Sequence, residues 1–507
     1  MRVDFLNQLK GLSKDIVIYG LGNAVSMCIG IFTAPILTRI FVPSDYGVIA
    51  LLQATINFLL LFVGFNLISG VYRYYFEYDD EKKKQDILST SLFCFVIIGV
   101  VFAAGTWLAA PILEALLHIR KTGIVETEGY EYTKYLRILA IGTPFSILST
   151  YFRSVLRMMR LPYRYMTLNL IHIFSNLFLV VLLVVYLRGG IAGALWAGVI
   201  ASVILCVSGF LFTFNNYSLS FSASFVSLFL GYSLPQLPAV ILNWGLGQGN
   251  RFFLNYYCLL DQQGYYAIAL RIASIFLLFA TAFRLAWDPF ALSIMKEVDS
   301  KQKYADIFSF YMICLGLLAC FVGISAKPIL MLLAPEKYHV AYSIAFIIIV
   351  AYFVRGANNI LGIGIGISKK TKYISYAQCI AFIVNMGLNF VLISRFKAWG
   401  AALAFAGGTM AQSFAFYYFA QSVYAVPYRF WKQEIFLFAM MMVMSLETIL
   451  VKGSSFAAAI GWGVAFVPVL FFIAFGLGLS REDQRRIFVG LSMKSLRIKW
   501  GSYREES

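Results

Sequence analysis

Residues 38–51 read Thr-Arg-Ile-Phe-Val-Pro-Ser-Asp-Tyr-Gly-Val-Ile-Ala-Leu, and residues 255–270 read Asn-Tyr-Tyr-Cys-Leu-Leu-Asp-Gln-Gln-Gly-Tyr-Tyr-Ala-Ile-Ala-Leu. Each is a short polar turn that closes on a glycine, Gly47 or Gly264, and reopens into an apolar run. A second pair repeats further on. Asn176 precedes an apolar run and then Arg188-Gly-Gly-Ile-Ala-Gly-Ala-Leu-Trp-Ala197; Asn385 precedes another and then Lys397-Ala-Trp-Gly-Ala-Ala-Leu-Ala404. The offset is 217 residues for the first pair and 207–209 for the second, the drift that small insertions give. The chain therefore repeats itself once over its first four-fifths.

The units being repeated are membrane spans. Of the 507 residues 61% are hydrophobic and only 13% charged, and the mean hydropathy is +0.79. A soluble chain of this length needs far more polar residues to cover its surface. The apolar residues come in runs of about 20, the length at which a helix crosses a ~30 Å hydrocarbon core. Membrane barrels show short alternating segments instead, and backbone groups in lipid must be satisfied within the chain, so the runs are helices. Fourteen spans are expected, at 16–40, 47–70, 89–113, 135–156, 165–187, 191–214, 224–247, 265–287, 305–326, 340–362, 373–394, 399–423, 433–451 and 455–479.

The matched turns lie six spans apart, so the two repeats share one orientation and are related by a pseudo-twofold axis along the membrane normal. The expected architecture is an all-α polytopic membrane protein of two six-helix bundles with a cavity between them, plus two C-terminal helices. The divisions are an interfacial helix at 1–14, bundles at 15–216 and 217–425, two extra spans within 426–480, and a basic tail at 481–507. Phe5, Leu9 and Leu12 share a face of the first segment, with Arg2, Lys10 and Lys14 elsewhere, the pattern of a helix lying on a membrane.

The net charge is +17, but Lys and Arg are scattered over many short loops, not clustered on a face that would bind nucleic acid. With the N-terminus inside, 26 of them fall on cytoplasmic segments and 11 on external ones, which places both termini in the cytoplasm. The loop 215–223 carries none. No external loop leaves room for a folded domain. The first apolar run is long and lacks a small-residue cleavage site, so it reads as a retained helix. The seven cysteines form no CxxC and sit in apolar runs, and the three histidines are dispersed, so neither a disulfide framework nor a metal site is expected. No GxxxxGK[ST] loop occurs.

Corresponding spans one and seven are interrupted by Gly and Pro: Gly20, Gly22, Asn23 and Pro35 in the first; Pro235, Pro238, Asn243, Gly245 and Gly247 in the second. Broken helices in matching positions of two repeats are where transporter sites lie. Four arginines, Arg137, Arg271, Arg284 and Arg355, fall inside spans, where each charge costs at least ~2.5–3.5 kcal/mol and so turns to a cavity or a partner. Intramembrane acids are scarcer: Glu447, and Asp288 at a span end.

The stretches Leu37-Thr-Arg-Ile-Phe-Val-Pro-Ser-Asp-Tyr-Gly-Val-Ile-Ala-Leu51, Gly264-Tyr-Tyr-Ala-Ile-Ala-Leu-Arg-Ile272, Ala282-Phe-Arg-Leu-Ala-Trp-Asp-Pro-Phe-Ala-Leu-Ser-Ile294 and Asn385–Gly400 resemble the polysaccharide transport family, the Wzx-type flippases of the multidrug/oligosaccharidyl-lipid/polysaccharide superfamily. The resemblance covers spans one to twelve. It implies a lipid-linked oligosaccharide, on undecaprenyl diphosphate, flipped by alternating access from the cytoplasmic to the outer leaflet of a bacterial inner membrane for O-antigen or exopolysaccharide synthesis. Where relatives often carry Asp-Arg after span seven, this chain has Asn250-Arg251, so no carboxylate–arginine pair forms there.

On this reading Arg271, Arg355, Arg137, Arg284, Asn23 and Asn243 are the candidate substrate-binding residues, the arginines for a diphosphate, which their planar fork suits. No catalytic residue, metal or cofactor is expected. A coupling ion, H+ or Na+, is left open, as are partner polymerase and export proteins. Two alternatives stand beside it. A cation-coupled multidrug antiporter of the same superfamily needs buried carboxylates, and a membrane glycosyltransferase or polymerase needs catalytic acids and a large external loop.

Overall fold

A computed structural model describes residues 33–64, 66–118, 130–218, 220–295, 297–368, 370 and 372–428, and the isolated positions 442, 458 and 461. Most of span one, with Asn23, and both C-terminal spans lie outside the described residues. No strand occurs among the described residues, and nine of their helices are long and apolar enough to cross a membrane.

After a helical segment at 33–40 the first half continues through α1 (Pro43–Gly64), α2 (Leu67–Tyr75), α3 (Glu81–Leu117), α4 (Tyr132–Met158), α5 (Pro162–Val180, ending in the π-helical turn Val181–Tyr186) and α6 (Gly190–Thr213). The second follows as α7 (Ala223–Ser233), α8 (Leu237–Gln248), α9 (Asn250–Tyr257), α10 (Leu260–Ser293), α11 (Ser300–Leu333), α12 (Ala341–Leu361), α13 (Ile363–Ile367) and α14 (Lys372–Val423). The breaks follow local chemistry. The expected span 47–70 is two helices because Asn66 takes φ 51°, a left-handed turn that asparagine tolerates. Leu234–Gln236 forms a 3₁₀ turn at Pro235. The long α14 holds two expected spans and reverses at Lys397, whose φ 54° and ψ −127° are not helical.

The sequence repeat is visible in the backbone. Arg188 and Lys397, the basic residues of the second matched turn, both have positive φ, 50° and 54°. Behind them Gly193 and Gly400 lie so close to the carbonyls of Leu183 and Leu392 that a Cβ would collide. Both hairpins thus need a glycine where a helix doubles back on its predecessor.

The glycines of the first pair meet each other. A Cβ on Gly264 would overlap the Pro43 carbonyl oxygen, and one on Gly47 would overlap that of Leu260. The starts of α1 and α10 therefore cross in backbone contact, and other bonds join the halves at this same end. Asn255 Nδ2 donates to the Leu117 carbonyl at 2.8 Å, Thr38 Oγ1 to that of Leu333 at 2.9 Å, and the Tyr338 hydroxyl to that of Phe41 at 3.0 Å. Next to them Tyr130 donates to Asp45 at 2.8 Å; its burial, with Asp45 beside it, holds the phenol above its ordinary range, so it remains a donor at neutral pH.

Far from this closure a smaller apolar core joins α2, α3, α4 and α7 around Leu67, Val71, Tyr151, Phe152 and Phe229. Gly70 sits against the Phe229 backbone, and Gly70 N donates to Ser233 Oγ at 3.1 Å. The Ser218–Ser222 connection is tied to α3, with Ser218 N donating to Ser89 Oγ at 2.8 Å and Ser222 N to Thr90 Oγ1 at 3.1 Å. Residues 218–236, which open the second repeat in sequence, thus pack on the first.

Candidate functional site

Between the halves, one layer below the crossed glycines, lies a cavity of about 550 Å³. The first half supplies Thr33, then Tyr46, Ile49, Ala50 and Gln53 along one face of α1, and Asn176 and Val180 of α5. That wall is neutral. The second half supplies Gln248 of α8, Arg251 of α9, Arg271 and Ser274 of α10, and Tyr352 and Arg355 of α12. Among the described residues three guanidinium groups face the cavity, and no Asp or Glu lines it.

Neutral groups meet each arginine. Arg251 Nη1 donates to the Ala50 carbonyl at 2.9 Å, across the interface, and its Nε is buried with no hydrogen-bond partner. The Arg251 carbonyl is held by the side chain of Gln263. The Arg271 guanidinium lies 5.2 Å from the centroid of the Tyr46 ring, and its Nη1 is 3.4 Å from Thr33 Oγ1. Arg355 Nη2 donates to Asn243 Oδ1 at 2.9 Å. An arginine bonded to a carbonyl, a ring face or an amide keeps its whole positive charge, because none of these neutralises it.

The second half braces this wall from behind. Asn250 Nδ2 donates to the Tyr266 hydroxyl at 3.1 Å and to the Ala401 carbonyl at 2.9 Å. Asn389 Nδ2 donates to Asn250 Oδ1 at 2.8 Å and to Asn385 Oδ1 at 3.2 Å. Asn250, Asn385 and Asn389 are all buried. This network pins α9 to α10 and α14 and so fixes the backbone that carries Arg251.

Of the residues expected to bind substrate, Arg271 and Arg355 come together at the cavity, and Asn243 is the hydrogen-bond acceptor of Arg355. Arg284 does not line it. It is exposed two turns further along the face that carries Leu270 and Leu277, and still acts electrostatically on Arg355. Arg137 is elsewhere: it packs over the Trp107 ring at 5.3 Å, a contact between α4 and α3. Asn23 lies outside the described residues. Arg251 was missed because a span ending at 247 puts it in an external loop, whereas the helix continues through Gly249 as α9 to Tyr257. Its signal was there: Arg251 lies only about one turn past that boundary.

The described lining of this cavity thus sets neutral groups of the first half against three arginines of the second. Residues 36–283 match the family model for polysaccharide biosynthesis proteins.

The solved structures agree on the fold. The lipid II flippase MurJ in its inward closed conformation superposes with a TM-score of 0.69 at 14% identity, over 90% of this chain and 98% of that one. An inward-facing multidrug resistance MATE family transporter of the MOP superfamily gives 0.63 at 15% identity, over 79% and 94%, and an outward-facing one 0.56 at 16%, over 81% and 95%. No curated protein sequence matches the chain. These neighbours are a flippase and transporters, and this chain shares their fold, with nine helices among its described residues long and apolar enough to cross a membrane.

Proposed function

We propose that the protein is a flippase that moves a lipid-diphosphate-linked oligosaccharide from the cytoplasmic to the outer leaflet of a bacterial inner membrane, for O-antigen or exopolysaccharide assembly. The carrier lipid in this reading is undecaprenyl diphosphate. The observation that carries the reading is the wall of Arg251, Arg271 and Arg355, with no carboxylate among the described residues that line the cavity. Cations such as Arg251 and Arg355, held in a membrane by a carbonyl and an amide, are costly at rest. A diphosphate supplies the missing negative charge while bound and removes it on release, as a carrier requires. The guanidinium fork also matches phosphate oxygens in geometry.

In this reading both termini are cytoplasmic, so the crossed glycines close the cavity toward the outside. Alternating access then means parting α1 from α10 at Gly47 and Gly264. The head group and the first sugars fill a cavity of about 550 Å³; the lipid tail stays in the bilayer. A cation-coupled drug antiporter is disfavoured because a cationic drug meets three arginines and no acid among the described residues of this cavity.

The test is a leaflet assay on purified protein in vesicles, with a fluorescent lipid-diphosphate glycan reported by quenching from outside. The expected result is protein-dependent movement, lost when Arg271 and Arg355 are both replaced by Ala at equal protein levels. Ion-driven uptake of ethidium with no lipid movement would replace the flippase reading by the antiporter one.

A further inference from the structure

The first half has its own arginines, and they are not in the cavity. Arg153 and Arg157 lie one turn apart near the end of α4, on the side of the molecule away from the crossed glycines. The Arg157 guanidinium sits 5.9 Å from the Tyr165 ring of α5, and its Nη2 donates to Ser154 Oγ at 3.1 Å. α4 and α5 form an antiparallel hairpin in which Arg157 meets Tyr165, so Arg153, one turn earlier on α4, lies level with Asn169, one turn later on α5, and close enough to act electrostatically on His172.

Between Tyr165 and His172 on the same face of α5 stands Asn169. It is fully buried, and neither its Nδ2 nor its Oδ1 has a hydrogen-bond partner among the described residues. His172 Nδ1 is likewise buried and unpartnered. Positions 165, 169, 172 and 176 advance by four, three and four, so they share one stripe of the helix. Its two outer members before Asn176 both neighbour the arginines, which puts Asn169 beside them. A buried amide with both polar atoms unsatisfied is costly to the fold. Two adjoining cations without an acid add to the deficit. The fourth member of the stripe, Asn176, lines the central cavity, about 10 Å further along the helix axis from Asn169.

We propose that Arg153, Asn169 and His172 form a second phosphate-class anion site in the first half, a station for the diphosphate head group on its way to the central cavity. The inference rests on the flippase reading for its role, but not for its chemistry. Arg153 supplies charge and a fork, and the Asn169 amide and a His172 ring nitrogen supply further donors. The Asn169–Asn176 stripe connects this site to the arginines of the second half.

The test uses full-length protein in detergent and inorganic pyrophosphate as the probe, read by calorimetry. Wild type is expected to bind two pyrophosphates. Arg153→Gln and Asn169→Leu should each weaken one of them at least tenfold and leave the other, while Arg271→Gln does the reverse. Arg153→Lys, which keeps the charge, should bind in between and guards against reading a folding defect as lost binding; all variants are compared at equal melting temperature. A single pyrophosphate site, abolished by Arg271→Gln and untouched by Arg153→Gln, overturns the proposal. Two competitors then identify the source. Farnesyl diphosphate is expected to displace pyrophosphate from the Arg153 site better than phosphatidylglycerol does; the opposite order makes it a resident-phospholipid site and overturns its role in loading. A wild type that binds two pyrophosphates but moves no glycan in the leaflet assay refutes the flippase reading and leaves this site standing.

Discussion

The two walls of the central cavity descend from the same repeat and have become opposites. Asn176 in the first half and Asn385 in the second occupy matched places before matched hairpins. Asn176 lines the cavity, whereas Asn385 is buried in a chain of amides that reaches Asn389, Asn250 and Tyr266. The first wall offers Gln53, Asn176 and the Tyr46 ring; the second offers Arg251, Arg271 and Arg355. One half has spent its polar residues on rigidity and placed its charge at the cavity. The other has left its amides free for a ligand. A symmetric scaffold therefore presents, among its described residues, an asymmetric cavity with an arginine-lined pole and a neutral polar pole. A phosphate joined to a sugar has the same two ends.

The contact that both halves share is the first place to break the comparison, and it carries the largest expected effect. Gly264→Val places a branched side chain where the Pro43 carbonyl already stands, so α1 and α10 no longer close. Transport is expected to fall to background. A cysteine introduced near Gly47 should become reactive to an external, membrane-impermeant thiol reagent. Normal transport by Gly264→Val would mean that the crossing is not a gate. Gly47→Val is expected to behave alike, since its Cβ meets the Leu260 carbonyl.

The next effect separates the walls by charge. Arg271→Ala is expected to lower the flipping rate by about ten- to a hundredfold, the weight of one lost charge-assisted hydrogen bond of ~1.5–3 kcal/mol. Gln53→Ala on the facing wall should cost about tenfold or less, since it removes only neutral bonds. Arg271→Lys tells charge from geometry: recovery above half the parental rate says that positive potential is enough, and poor recovery says that the fork is used. Equal losses for Arg271→Ala and Gln53→Ala would erase the polarity of the cavity.

Much of this was legible before any coordinates. The paired turns at Gly47 and Gly264 announced the repeat, and the structure shows why glycine is needed at both: each helix start is the other's steric limit. Arg271 and Arg355 could be picked out because an arginine deep in an apolar run is expensive. The same argument picked Arg137, which the structure instead stacks on Trp107, because a ring face is an alternative that sequence spacing does not reveal. Arg251 escaped because hydropathy sees only how apolar a stretch is. Its helix runs on past Gln248 through a polar segment that tertiary contacts hold, with Asn250 tied to Tyr266 and Ala401. The division of roles among the asparagines was also hidden: Asn176 and Asn385 read alike in sequence, and only the packing of their neighbours tells them apart.

That last distinction yields the smallest effect and the sharpest test of the comparison. Asn250→Ala removes the acceptor of Asn389 and the donor to the Ala401 carbonyl, all in a buried place. Hydrogen bonds between membrane helices average about 0.6 kcal/mol, with the best near 1.7. Losing these and the bond to the Tyr266 hydroxyl, three in all, and leaving Asn389 Nδ2 with one partner should therefore destabilise by about 2 kcal/mol, read as a lower midpoint in detergent-induced unfolding. Asn176→Ala removes a side chain that faces a cavity, and should shift the same midpoint by less than about 0.5 kcal/mol, as surface substitutions do. Its effect belongs to transport, where a weaker hold on the neutral end of the substrate should appear as a raised half-saturation concentration at an unchanged maximal rate. The two asparagine positions thus predict opposite readouts from the same chemical change. If Asn176→Ala instead unfolds as easily as Asn250→Ala, its amide is a brace like those of the second half, and the neutral wall is a second scaffold, not a binding pole.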